Sequence, residues 1–372
     1  MHEKTSLKIS LMDPGHRNIG GHHYDWNTAI CHTLKAEGHD IDVYASQHAS
    51  DEAKAGFPSG VTVHRHFRFN PYMKADFIDP ISGPLELQYM GLQSVTEDLL
   101  KTPPADIWIW PTLFPHQLAA CAKAQTKASI SGCIHHPPGE NAGWWRMGTN
   151  WCTKAGVDIR AIGTSTQDNL ANFHGILGEL HPQAFPEPFK GRPTAKRAND
   201  TVGIFGATRK EQGSQYLIPI IQHCLNHGLK VLTHDSELIP KRLKDHPGLI
   251  IAAFEPDFSR VIERCNLVIA PYLWTSYKSR ASGIVSQARA SGIPCVIPAG
   301  TGFSQDMEKE KCATLFYQHT SEAILCAIDL AISNYPDLAA AAQTAALKWE
   351  KINGPRRFAS VLIHGHENTR KS

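Results

Sequence analysis

The densest run of chemically useful residues lies at 271–302, PYLWTSYKSRASGIVSQARASGIPCVIPAGTG. Ser282 is placed to cap a helix opening at Gly283. Such a helix directs the amides of Gly283, Ile284 and Val285, with the positive end of its dipole, at whatever lies beyond its start. Gly292 and Pro294 then close the helix and lead into an apolar strand. An earlier stretch, Gly206-Ala207-Thr208-Arg209-Lys210-Glu211-Gln212-Gly213, sets two cations just after another apolar strand. Cations and free helix amides are the chemistry of a phosphate site, although the same pattern also occurs in solvated loops and ordinary strand-to-helix turns. In the N-terminal half, Gly20-Gly21 precede a helix and His135-His136-Pro137-Pro138 follow an apolar strand.

These stretches need elements to position them. Residues 7–12 (LKISLM) read as a buried strand. The following helix carries Ala29, Ile30, Thr33 and Leu34 at helical spacing and stops near Gly38, and residues 41–44 form the next strand. Strand, glycine loop, helix and strand make a βαβ unit, and hence a parallel sheet covered by helices. Further strands are expected over 107–110, which puts Trp108 and Trp110 in the core, and over 130–134. Residues 67–87, with Pro71, Pro80 and Pro84, read as a long irregular excursion. A polar stretch over 190–200 marks a domain boundary, after which the pattern restarts with strands near 201–205, 230–232, 249–251, 267–270 and 295–297. A chain of 372 residues exceeds what one hydrophobic core usually supports. The expected class is therefore α/β, with two Rossmann-like doubly wound domains facing across a cleft, over 1–190 and 200–344, and ligands at the carboxyl ends of their strands.

Composition narrows the function. With 37 basic and 35 acidic residues the formal charge is +2, which gives no footprint for nucleic acid. The nine cysteines are odd in number and contain no Cys-x-x-Cys pair, so they read as reduced thiols in the cytoplasm. The apolar run near the start is too short for a signal peptide or a transmembrane segment. Histidine is abundant, 21 in all, clustering at His22-His23, His64-Arg65-His66, His135-His136 and His364-Gly365-His366. Neither His-Glu-x-x-His nor a Cys/His quartet occurs, so no metal is expected.

The run from Pro271 to Gly302 resembles the second domain of the retaining glycosyltransferases of family 4, also called glycosyl transferases group 1, which have the GT-B fold. That resemblance implies transfer of a sugar from a nucleotide-sugar donor to a hydroxyl acceptor with retention of anomeric configuration, with no metal and no cofactor. It implies that Arg209, Lys210, Ser282, Gly283, Ile284, Val285 and Gln287 hold the donor, with Gly20 and Gly21 beneath its phosphates. It makes His135 the catalytic-side histidine, orienting the transferred sugar. The family's two glutamates, with seven residues between them, align with Ser279 and Gln287 here, and neither is acidic. The acceptor belongs to the first half, where Trp144 and Trp145, read as loop residues, offer aromatic faces. The C-terminal helix, about 345–372, is expected to pack back on the first domain. A catalytically weak or inactive partner subunit and a nucleotide-sugar epimerase are the competing readings. A dinucleotide oxidoreductase lacks support, because no Gly-x-Gly-x-x-Gly follows the first strand.

Overall fold

A computed structural model describes residues 6–71, 84–193, 200–206 and 209–365. Most of the excursion expected over 67–87, the middle of the polar stretch over 190–200, and Ala207 and Thr208 lie outside the described residues. The chain forms two compact units, one of Met1–Pro188 with Pro355–Ser372, the other of Phe189–Gly354.

The first unit is built on β1 (Lys8–Asp13), β2 (Asp40–Ser46), β3 (Thr62–Phe67), β4 (Ile107–Trp110), β5 (Ser129–Cys133), β6 (Ile159–Thr164) and β7 (Gln183–Ala184). These seven strands lie in the order β3-β2-β1-β4-β5-β6-β7, and every pairing is parallel. The helices are α1 (Gly21–Ala36), α2 (Pro84–Leu99), α3 (Pro115–Lys123), α4 (Ala142–Ala155) and α5 (Gln167–Asn172). Trp108 and Trp110 are buried in β4, as the apolar run implies. Trp144 and Trp145 are not loop residues: they open α4 and are buried, Trp145 edge-on to Phe173 and Trp144 edge-on to Tyr89.

The second unit repeats the plan with β8 (Thr201–Ile204), β9 (Lys230–Thr233), β10 (Leu249–Ile251), β11 (Leu267–Ile269), β12 (Cys295–Pro298) and β13 (Ala313–Phe316). Its order is β10-β9-β8-β11-β12-β13, again with parallel pairings. Its helices are α6 (Leu217–Asn226), α7 (Lys241–Lys244), α8 (Phe258–Ile262), α9 (Trp274–Tyr277), α10 (Gly283–Ala290), α11 (Ser304–Lys309), α12 (Ser321–Ser333) and α13 (Tyr335–Ile352). The strands read as continuous apolar runs because both faces are covered. Val202, Ile204, Val231 and Val296 join Ile220, Ile221, Ile324 and Ile328 on one side. Leu232, Val268, Cys295 and Ile297 join Val285 and Ala288 on the other.

The last helix among the described residues is α14 (Pro355–His364), which belongs to the first unit. The return starts later than the expected residue 345, because α13 is anchored in the second unit. There Trp349 donates its indole N–H to the Phe189 carbonyl at 2.7 Å and lies under the Arg289 guanidinium. Phe358 of α14 is fully buried between Trp26 and Phe185. The last carbonyls of α14 are satisfied by Ser131, donating to Leu362 O at 2.6 Å, and by Arg160, donating to Ile363 O at 2.9 Å. Among the described residues no single helix is long and apolar enough to cross a membrane. All nine cysteines are free thiols, and only Cys326 is exposed.

Phe358→Ala removes the largest side chain that α14 buries. It should lower stability by about 3–5 kcal/mol, the usual cost of emptying an aromatic core position, measurable by urea unfolding followed by tryptophan fluorescence.

Candidate functional site

In each unit the strand order reverses beside its first strand, between β1 and β4 and between β8 and β11. Loops leaving the two central strands diverge there and open a crevice at the carboxyl end of the sheet.

In the second unit the loop after β8 carries Gly206, Arg209 and Lys210 and closes at Gly213. Gly213 has φ +84°, and a β-carbon there would stand 2.1 Å from the Pro271 carbonyl oxygen, so glycine is required and the loops after β8 and β11 meet. Gln212 is buried and ties that loop to the Tyr277 hydroxyl at 3.4 Å, while its Oε1 accepts from Arg209 Nε at 3.0 Å. Arg209 is also 3.3 Å from Glu211, yet its side chain remains 60% exposed, and Lys210 is exposed beside it. A β-carbon on Gly206 would come within 3.0 Å of Ile284 Cδ1, which places the first turn of α10 against the same loop. Tyr272 stacks on Tyr277 at 4.4 Å. Burial pushes the Tyr272 phenol above its ordinary pKa, with the Arg209 charge pulling the other way, so it stays a neutral donor and acceptor.

Ser282 caps α10: its Oγ accepts from the Val285 amide at 3.3 Å and donates to the Tyr272 hydroxyl at 3.4 Å. Both groups therefore take part in building the helix start, as the expected cap at Ser282 requires. The amides of Gly283 and Ile284 remain, since the first turn of a helix has no internal acceptor for them. Gln287 is buried one turn further on, donating along the helix to Ser291 Oγ at 3.4 Å.

In the first unit β1 delivers Asp13 to the crevice almost completely buried, at 1% exposure. Its carboxylate accepts from Gly15 N at 2.9 Å, Asn27 Nδ2 at 2.7 Å and His23 Nδ1 at 2.9 Å. Burial alone would raise the Asp13 pKa; His23, His16 and Asn27 together hold it below its ordinary value. Burial alone would likewise lower the His23 pKa, and the Asp13 charge and hydrogen bond outweigh that and raise it. The His23 ring lies on Gly15, where a β-carbon would approach to 2.3 Å. Gly20 and Gly21 both take positive φ, +80° and +79°, as the chain turns into α1.

His135, after β5, has its Nε2 2.9 Å from the Pro111 carbonyl and 3.2 Å from His22 Nε2. A carbonyl only accepts, so His135 carries its proton on Nε2. Desolvation lowers its pKa to about 3. The His135 ring is therefore neutral at physiological pH, suited to orienting hydroxyls rather than neutralising phosphate. Trp26 packs edge-on against His135 at 4.7 Å.

The same unit holds a cavity of about 260 Å³, lined by Phe69, Leu113, Phe114, His116, His136 and Trp145 among others. His116 is buried, and its Nδ1 donates to Gln88 Oε1 at 2.9 Å. Its Nε2 is thereby an acceptor, with no partner among the described residues.

This architecture, two Rossmann-like units with parallel sheets of seven and six strands, is the GT-B fold. No family model matches the chain, and no curated protein matches it by sequence. Solved structures do. Sucrose-phosphate synthase from Thermosynechococcus elongatus aligns with a TM-score of 0.68 at 11% identity, over 95% of this chain and 96% of that one. HepE from Anabaena, in complex with UDP-glucose, aligns at 0.64 and 14%, over 96% and 98%. The glycosyltransferase SnogD from Streptomyces nogalater aligns at 0.60 and 16%, over 96% and 99%.

Sequence reasoning located the Arg209 loop and α10 but not Asp13, His23, Gln212, Tyr272 or Tyr277. An acid ending the first strand ten residues before a histidine was the available signal for the first pair. Ser282→Ala, which removes the cap, should cost about 0.5–2 kcal/mol of stability. The change is readable as a lowered unfolding midpoint.

Proposed function

We propose that the chain is a glycosyltransferase that moves a sugar from a nucleoside-diphosphate sugar to a hydroxyl acceptor, with retention of configuration and without a metal ion. One observation carries this reading: at the switch point of the second unit, an exposed arginine and an exposed lysine follow Gly206, whose backbone packs against the first turn of a capped helix with two amides that the helix itself leaves unbonded. Arg209 exchanges its contacts with Gln212 and Glu211 for the diphosphate, Lys210 adds a second charge, and the Gly283 and Ile284 amides complete the cradle. The leaving diphosphate is stabilised by these groups in the place of a cation. The structural likeness to HepE, solved with UDP-glucose, supports a nucleotide-sugar donor. In the first unit, neutral His135 orients a sugar hydroxyl, and Gly20-Gly21 leave the start of α1 open to a ligand. The cavity beside Trp145 takes an apolar part of the acceptor. The cytoplasm is the proposed setting, given the free thiols.

Arg209→Ala should weaken UDP binding by about 1.5–3 kcal/mol, the range for hydrogen bonds to a charged group. Titration calorimetry decides it, and unchanged affinity removes Arg209 from the site. Turnover should persist in chelator, as measured by UDP release from UDP-sugars with and without acceptor. Donor binding with no release under any acceptor would favour the inactive-subunit reading instead.

A second reading rests on the Asp13–His23 pair. With Nδ1–H given to Asp13, the neutral tautomer of His23 carries its lone pair on Nε2, as in a histidine–aspartate pair that deprotonates an acceptor hydroxyl in direct displacement. Direct displacement inverts the anomeric centre. Because the His23 pKa lies above its ordinary 6.5, the base form is lost as pH falls through that raised value. An inverting enzyme should then show an acid limb in kcat/KM above pH 6.5, abolished with activity in His23→Ala. The anomeric coupling of the product, read by proton NMR, separates the two mechanisms.

A further inference from the structure

We propose that the second unit binds a divalent transition-metal ion, of the zinc, nickel or cobalt kind, between α6 and α12, through His223, His227 and Asp329. Among the described residues these three form the one group whose ligand atoms all lie within 4.8 Å of one another. His223 sits on α6, His227 directly follows its last residue, and Asp329 faces them from α12.

Hydrogen bonding prepares the imidazole of His227 for this role. Its Nδ1 is 2.9 Å from the His223 carbonyl oxygen, which only accepts, so Nδ1 carries the proton. A neutral His227 therefore turns the lone pair of Nε2 toward Asp329 Oδ1, 3.8 Å away. In that tautomer two acceptors face each other across the gap, which a cation can bridge. A backbone carbonyl on the far nitrogen is also how metal-bound histidines are commonly held in tautomer and orientation. His223 Nε2 lies 2.6 Å from the same carboxylate oxygen, which a proton now bridges.

The distances suit such an ion. Ligand bonds of about 2.0–2.1 Å in a tetrahedron set neighbouring donor atoms about 3.3–3.4 Å apart. The separations of 2.6 and 3.8 Å bracket that edge, so adjustment of exposed side chains closes the site. When the ion enters, it takes the place of the bridging proton: His223 moves its proton to Nδ1 and both imidazoles stay neutral. Asp329 remains a carboxylate. The exposure of His227 and Asp329, 50% and 48%, leaves the remaining coordination positions to water. Two imidazoles with one carboxylate favour a borderline transition ion over magnesium or calcium, which take oxygen ligands.

The site stands apart from the proposed donor crevice, since none of its residues belongs to the Arg209 loop or to α10. It joins two helices covering one face of the sheet, where Leu217, Ile220 and Ile221 of α6 meet Ile324 and Ile328 of α12. An ion there binds the folded unit and not the unfolded chain, so it stabilises by mass action.

The test is titration of the intact chain with zinc chloride by calorimetry and with cobalt chloride by visible absorption. The arms are wild type, His227→Ala, Asp329→Asn and a His22→Ala control directed at the other histidine cluster. Each site variant should weaken binding by at least about 10–100-fold, the cost of losing even an outer-shell partner of a metal ligand, while the control leaves it unchanged. The wild-type unfolding midpoint should rise with zinc, and that of His227→Ala should not. Equal affinity in wild type and His227→Ala, loss of binding in the control, or no saturable binding in wild type would each overturn the assignment. Circular dichroism of the variants confirms that they are folded.

Discussion

Much of the second unit's chemistry depends on one steric constraint, the contact of the Gly213 backbone with the Pro271 carbonyl. The oxygen occupies the space of any β-carbon at 213, and the positive φ there is one that other residues rarely adopt. The contact brings the loop leaving β8 against the loop leaving β11. Once they meet, Gln212 reaches Tyr277, Tyr277 stacks on Tyr272, and the Tyr272 hydroxyl accepts a hydrogen bond from the residue that caps α10. A short chain of neutral hydrogen bonds and ring contacts thus sets where Arg209 and the helix amides stand. These positioning groups are buried, while the cations they position reach solvent.

The first unit solves a comparable problem with a buried charge. A carboxylate as enclosed as Asp13 is costly unless its oxygens are satisfied, and here a backbone amide, an asparagine and a histidine satisfy them. Asn27 also donates to His16 Nδ1 at 3.3 Å, and the other nitrogen of that ring donates to the Ala53 carbonyl at 3.0 Å. The network fixes each tautomer in turn. His23 joins the network through Nδ1, so the same bonds that stabilise Asp13 fix the orientation of its ring.

Much of this was legible in the sequence where one physical requirement acts alone. Two-sided burial makes β4 and β11 apolar throughout and gives β1 and β8 apolar centres, and their repetition across a polar break implies two doubly wound units. The cap at Ser282 could be read because serine before a glycine-opened helix has few other uses. Elements shaped by competing requirements were hidden. β3 is an edge strand whose histidines make polar contacts, His64 with Asp42 and His66 with the Asp98 carbonyl, so it does not read as apolar. β6 is interrupted by Arg160, which is there to hold the end of α14. Trp144 and Trp145 follow Pro137-Pro138-Gly139 and look like loop residues, yet their burial drives a helix. The His223–His227–Asp329 group needs two helices about a hundred residues apart in sequence, and spacing on either helix alone carries little signal.

The placement of α14 bears on how the protein is made. The first unit is interrupted by the whole of the second, and a ribosome delivers its last helix only after the intervening fold has emerged. Until then Trp26, Ser131 and Phe185 lack the partner that covers them. The unit synthesised first is therefore the last to be completed. During synthesis it presents an apolar seam while the later unit is already able to close upon itself. Domains that finish in the reverse of their order of translation depend on protection of such a seam, and the length of that exposure is set by the time taken to translate Phe189 to Gly354.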